Sequence, residues 1–220
     1  MKKLMMIAAM MVATVSAYAQ FESGTFSIQP KIGMNLAKVS NMAPYAVSST
    51  NELDRSLLGG LAIGAEAEYQ IAKPFSVAAG LMFSMQGCQW EDKEIDKVKY
   101  KDTKIELNYL TLPVVANFYL FKGFAVKAGV QFGYLTNANF KRTKDENDSS
   151  TSYTDDVKDN CNKFDVSIPV GVSYQVPTIP IYIDARAIFG LSDIGKEKLD
   201  NGKSSKNQVF QLTVGYKFKL

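Results

Sequence analysis

The chain has 220 residues, 46% hydrophobic, 21% charged and 11% aromatic, which is too apolar for a disordered chain and too mixed for a helical membrane bundle. Formal charge is +3, from 25 basic and 22 acidic residues, and nothing in that balance asks for a nucleic-acid partner. There is no histidine, so every mechanism that needs imidazole as base or ligand is excluded, including Ser-His-Asp triads and HExxH zinc sites.

In chain order, residues 1–19 read as an export signal. Lys2 and Lys3 form a positive start, Leu4 to Val15 is an apolar stretch broken by Thr14, and Ala17-Tyr18-Ala19 puts small residues before a cut at Gln20. The stretch is shorter than the roughly 20 apolar residues of a membrane helix. No cysteine stands at the cut, so a lipid anchor is not indicated. The mature chain, 20–220, is expected to be one domain.

From Phe26 the period is two, the repeat of a strand with two unlike faces. Eight segments follow, at about 26–38, 56–71, 75–91, 104–120, 124–140, 164–176, 181–192 and 207–220. All are longer than the usual strand of about 5–6 residues. The last shows the pattern best: Phe210, Leu212, Val214, Tyr216, Phe218 and Leu220 share one face, while Gln211, Thr213, Gly215, Lys217 and Lys219 share the other. In 104–120 the apolar parity changes. Ile105, Leu107 and Tyr109 lie on one phase and Leu110, Leu112 and Val114 on the next, which implies a bulge near Tyr109.

The connections alternate in length. Short ones fall at 72–74, 121–123 and 177–180; long ones at 39–55, 92–103, 141–163 and 193–206. This alternation over an even number of strands, with both termini on the short-turn side, is the layout of an outer-membrane barrel. The predicted fold is an all-β, eight-stranded, antiparallel up-and-down transmembrane barrel. Its first and last strands must pair, because a backbone in lipid has to satisfy its own hydrogen bonds.

Alternation alone leaves open which face looks outward. Three features point the apolar face at lipid. The strands exceed the roughly 9–11 residues of a tilted span. The polar face is rich in Gly, Ser and Ala, as a narrow lumen requires. Aromatics gather in two rings, with Tyr69, Phe75, Phe118, Phe124, Tyr174 and Phe218 toward the short turns and Phe132, Tyr134, Phe164, Phe189 and Phe210 toward the long loops.

The lumen face then carries Lys31, Glu66, Glu68, Lys127, Asp184, Arg186 and Lys217, all in the half nearer the short turns. Burial demands that such charges pair. They are expected to form a structural plug, closed by Asn117, Tyr119, Gln131 and Tyr182. A conducting pathway is the alternative. Cys88 and Cys161 both fall at the long-loop end in an oxidising compartment; they can form a disulfide or stand as separate thiols, and spacing leaves both open. Trp90 has the wrong parity for the apolar face and is expected toward the loops. The acidic residues of 141–163 lack the order of a calcium loop and alternate with lysines, so they read as a solvated loop. No catalytic, cofactor-binding or metal-binding residues are assigned.

The segments PKIGMNLAKVS (30–40), LLGGLAIGAEAEYQI (57–71), AAGLMFSMQG (78–87) and LNYLTLPVVANFYLF (107–121) resemble the small outer-membrane β-barrel family widespread in Bacteroidetes, with N-Y-L-x-L-P at 108–113 the most specific piece. Its PorT-like members include a protein linked to gliding and secretion. The resemblance implies an outer-membrane location, lipid as surroundings and the barrel-assembly machinery as partner during biogenesis. Phe218 takes the aromatic role of the assembly signal, since the chain ends in Leu220. It brings no catalytic residues. The functional expectation is a non-enzymatic barrel with a structural or surface-interaction role through its outer loops. The alternatives are an accessory of a secretion or gliding assembly with protein partners at loops or periplasmic turns, or a narrow porin-like channel.

Overall fold

The computed structural model describes residues 22–41, 55–95, 98–146, 149–196 and 204–220; the expected signal segment 1–19 lies outside them. Eight long strands form the wall: β1 (Phe26–Val39), β2 (Leu58–Ala72), β3 (Phe75–Trp90), β4 (Val98–Phe121), β5 (Phe124–Glu146), β6 (Phe164–Gln175), β7 (Ile181–Gly190) and β8 (Asn207–Tyr216). Each pairs antiparallel with its sequence neighbours, and β1 pairs with β8, from Lys31↔Gly215 to Val39↔Asn207. The short strand Phe218–Lys219 extends the closure onto Ser27 and Ile28. The sheet is therefore a closed ring of eight. Closure leaves no unpaired edge along the wall, which is what hydrocarbon demands. Among the described residues no helix is long and apolar enough to cross a membrane.

The pleat sorts the side chains. Ile32, Met34, Leu61, Leu81, Leu112, Phe132, Ile183, Leu212 and Val214 are exposed, whereas Lys31, Glu66, Asp184 and Arg186 are buried. The greasy face is outside and the charged face is inside, the inverse of a water-soluble barrel. Aromatic pairs mark both ends of the apolar band. Phe121 and Phe124 stack at 4.8 Å across a short turn, and Tyr134 meets Phe164 edge-on at 5.4 Å near the long-loop end.

Two expectations need correction. β4 has no bulge near Tyr109: its odd residues from Thr103 to Tyr119 all face inward without a break. The extra residue is Thr136 on the partner strand, where the register steps from Asn108↔Asn137 to Tyr109↔Leu135. Ile105, Leu107 and Tyr109 are apolar residues inside the barrel, and this produced the apparent change of phase. Trp90 is inside and 2% exposed, packed with loop residues as its parity implied. Finally, 92–103 and 141–163 are not simply loops. β4 and β5 run on together beyond the barrel, and Ser149–Asp156 folds back on β5 while Lys93–Ile95 pairs with Val98–Tyr100. Thr and Tyr alternating with Ser in 149–154 suit an exposed strand despite the charge around them. The result is a four-stranded sheet projecting from the long-loop end.

Candidate functional site

The interior is filled in three layers. Nearest the short turns, β1, β2, β5 and β7, and Lys217 just after β8, send in charged side chains. Arg186 grips Glu66 with both terminal nitrogens, at 2.7 and 2.8 Å. It also reaches back along its own strand to Asp184, with Nε at 2.8 Å and Nη2 at 2.7 Å. Lys31 donates to Glu66 at 2.6 Å, and Lys127 to Asp184. A second group centres on Glu68. It accepts from Gln29, Ser76 and Tyr119 and pairs with Lys217 at 2.8 Å. Lys217 also donates to the Tyr119 hydroxyl at 3.1 Å, and Asn117 reaches the group through Ser76 at 2.9 Å. All seven sequence-nominated charges thus meet in two adjoining clusters. Of the four expected closing residues, Tyr119 bonds a charged member directly and Asn117 only through Ser76. The Tyr182 hydroxyl has no hydrogen-bond partner, and the side chain of Gln131 is buried above this layer.

Backbone placement makes room for these long side chains. Lys31 is flanked by Gly64 and Gly215, Glu66 lies opposite Gly80, and Gly171 sits between Arg186 and Lys127. At Gly171 an added Cβ would fall 2.2 Å from the Ala185 carbonyl oxygen and 2.9 Å from the Arg186 Cα. The glycines let the wall curve tightly enough for charges on facing strands to touch.

The middle layer is neutral and polar. Asn35 donates to Ser84 at 2.9 Å and accepts from Gln211 at 3.0 Å, and Gln86 donates to Ser84 at 3.0 Å. Toward the loops, Asp165 accepts from Ser192 at 2.5 Å. The top layer is an apolar cap that sequence reasoning missed: Val39, Cys88, Trp90, Ile105, Leu107, Tyr109, Leu135, Ala138 and Phe140 from the wall, and Val157, Cys161 and Ile194 from the loops. Trp90 and Phe140 meet edge-on at 6.2 Å. The signal was available in β3 and β4, where Cys88 and Trp90, and Ile105, Leu107 and Tyr109, share lumen parity near the long-loop end; in β5 the extra residue Thr136 puts Ala138 and Phe140 on the other parity. It was read as a phase change because lumens were expected to be polar throughout.

Both cysteines lie in this cap, where they stand as separate buried thiols. Cys88 projects from β3. Cys161 is held by a bridge to Gly195 in the segment after β7, the strand opposite β3 in the ring. Burial pushes the Cys161 thiol up from its ordinary value. Among the described residues no group of acidic, Cys or His side chains could hold a metal ion.

On the projecting sheet, Lys101 donates to Asp145 at 2.6 Å. That hydrogen bond holds the Asp145 carboxyl below its usual range and raises Lys101. Glu106 is shared by Lys104 at 3.1 Å and Lys141 at 2.8 Å. On the other side of the sheet, the Arg142 guanidinium lies 5.2 Å from the centre of the Tyr153 ring.

No curated protein matches the chain. Among solved structures it is similar to Ail, the attachment invasion locus protein of Yersinia pestis, with 16% identity over 89% of this chain and 99% of that one, TM-score 0.44. It is also similar to OprG of Pseudomonas aeruginosa, with 14% identity over 91% and 99%, TM-score 0.43. Neisserial surface protein A gives 14% over 88% and 97%, TM-score 0.42. The family model for the outer membrane protein beta-barrel domain matches residues 18–196. A closed eight-stranded ring, an uncharged lipid-facing band, paired charges on the axis and a family match over most of the length lead to one conclusion: the chain belongs to the outer membrane protein beta-barrel domain family and resides in the outer membrane.

Proposed function

We propose that the protein is a sealed outer-membrane barrel, without enzymatic activity, whose work is structural or surface-interactive. The long-loop end, with its projecting sheet, faces away from the cell, and the short turns face the periplasm, as in barrels of this architecture. Residues 1–19 are removed on export, and the exposed Phe218 serves recognition by the barrel-assembly machinery.

The observation that carries this reading is the double filling of the lumen. A charged plug occupies the short-turn end and an apolar cap the long-loop end, with a neutral polar layer between. Water or ions crossing it would have to separate paired buried charges and then pass a hydrophobic layer, each a barrier of several kcal/mol. Planar-bilayer recordings of the mature chain are expected to show no discrete conductance steps. Steps in the wild type that vanish in Arg186→Ala would establish a narrow pore instead.

The N-Y-L-x-L-P segment, Asn108 to Pro113, favours a second reading, as a PorT-like accessory of a Bacteroidetes secretion or gliding assembly. Co-purification of defined periplasmic partners in mild detergent supports it; a lone barrel under those conditions opposes it.

A further inference from the structure

One lumen carboxylate stands apart from the plug. Asp165, near the long-loop end of β6, is 7% exposed. Ser192, just after β7, donates to it at 2.5 Å. Among the described residues no cationic group pairs with it. The plug lysine on the neighbouring strand is Lys127, which lies opposite Gly171. Gly171 is six residues further along β6, about 20 Å away at roughly 3.4 Å per residue.

Two other side chains converge on Asp165. Tyr109 reaches it from β4 across Gly133 of β5. A Cβ at Gly133 would fall 3.3 Å from the Tyr109 ring and 3.4 Å from the Asp165 Cβ, so the missing side chain lets the two meet. Asn207 comes from β8 and lies beside both. Tyr109 and Asn207 are each 1% exposed. Yet the Tyr109 hydroxyl and both polar atoms of the Asn207 amide have no hydrogen-bond partner. Buried polar atoms are rarely left so. Three of them, on two neighbouring side chains beside an unpaired carboxylate, call for a common partner. Cys161 and Ile194 from the loops pack with Tyr109 in the cap, which screens the group from bulk water.

The atoms define what that partner is. The acceptors are oxygens of a carboxylate, a carboxamide and a phenol, a set that suits a hard cation. Charge selects the valence. One carboxylate balances one positive charge, whereas a divalent ion would leave net charge buried. A water by itself would satisfy the hydrogen bonds and leave the carboxylate uncompensated.

We infer that Asp165, Asn207 and Tyr109 bind a single alkali-metal cation beneath the apolar cap, through the carboxylate, Oδ1 and the phenol oxygen, with water completing the shell. The ion enters from the long-loop end and does not cross the plug. A silent bilayer recording and a filled site are therefore compatible, and each reading fails by its own measurement.

The test is thermal unfolding of the purified mature protein in neutral detergent. Sodium chloride replaces choline chloride at constant ionic strength, since choline is too large for the site. The wild-type midpoint rises by about 3–5 °C for each tenfold increase in sodium once the site fills. Asp165→Asn keeps the shape and removes the charge. Its midpoint matches or exceeds that of the wild type in choline, a result that loss of folding cannot mimic, and it no longer responds to sodium. Tyr109→Phe removes one ligand oxygen and needs roughly tenfold more sodium for the same rise. Lys122→Gln, in a short turn at the far end, responds as the wild type does. A wild-type midpoint indifferent to the exchange, as when a proton neutralises Asp165, would overturn the inference. So would a sodium response that survives in Asp165→Asn, or one unchanged in Tyr109→Phe.

Discussion

Arg186 is the residue on which the interior turns. It sits on β7, yet its guanidinium bridges Glu66 on β2 and Asp184 on its own strand, so it ties together strands separated by two others in the ring. Both carboxylates also have a lysine, Lys31 or Lys127, but neither lysine offers a planar fork. Removing the fork leaves buried negative charge short of partners. Arg186→Ala should cost about 3–5 kcal/mol of unfolding free energy, measured by urea titration from lipid vesicles. A change below about 1 kcal/mol would mean the cluster is already satisfied by its lysines. Which residues carry the plug was legible in the sequence, because seven charges on one parity in one half of a barrel have only each other to meet. Which pairs form was not, since pairing across the lumen depends on the rotation of each strand around the ring. Gln29 and Ser76 on Glu68 were missed for that reason.

Among the strands, glycine placement decides how closely the wall can bend. Gly171 and Gly59 both lie in strands, but Gly59 has the outward parity of β2 and Gly171 the lumen parity of β6. Gly59 would meet nothing within 4 Å on gaining a Cβ, whereas Gly171 would collide with the neighbouring backbone. Gly171→Ala should therefore destabilise the barrel by about 1–3 kcal/mol, the usual cost of forced overpacking, while Gly59→Ala stays near neutral. Heat-modifiable gel migration of the two variants, compared with wild type, reads the difference. The β4–β5 unit shows the limit of reading elements from pattern. The sequence placed the irregularity next to Tyr109, and the structure puts it across the ladder at Thr136. A strand whose inward residues turn apolar partway along looks the same, in one dimension, as a strand that has slipped by one.

For the molecule as a whole, the orientation of the two faces governs stability, and its cost depends on depth. Val214 is exposed midway between the outward aromatics Phe210 and Phe218, and Gln208 faces out near the long-loop end of β8. Val214→Lys should cost about 2–4 kcal/mol in vesicles, against about 0–1 for Gln208→Lys, with equilibrium unfolding from lipid as the readout. Equal costs at the two depths would contradict a membrane-spanning exterior. The same architecture puts an apolar band outside, packed side chains along the axis and a polar sheet at the long-loop end.

The eight strands, their closure and the outward apolar face were determined by the sequence alone, because a period of two, the absence of charge on one parity and alternating loop lengths are all local properties. The layering of the lumen was decided only by tertiary structure. Residues of one parity were expected to share one environment, but the ring stacks them by height, so Arg186 meets Glu66 from a distant strand while Trp90 and Cys88, equally inward, meet an apolar cap. The projecting sheet was hidden for a related reason: its strands are polar on both faces, and such strands carry no hydrophobic alternation by which to recognise them.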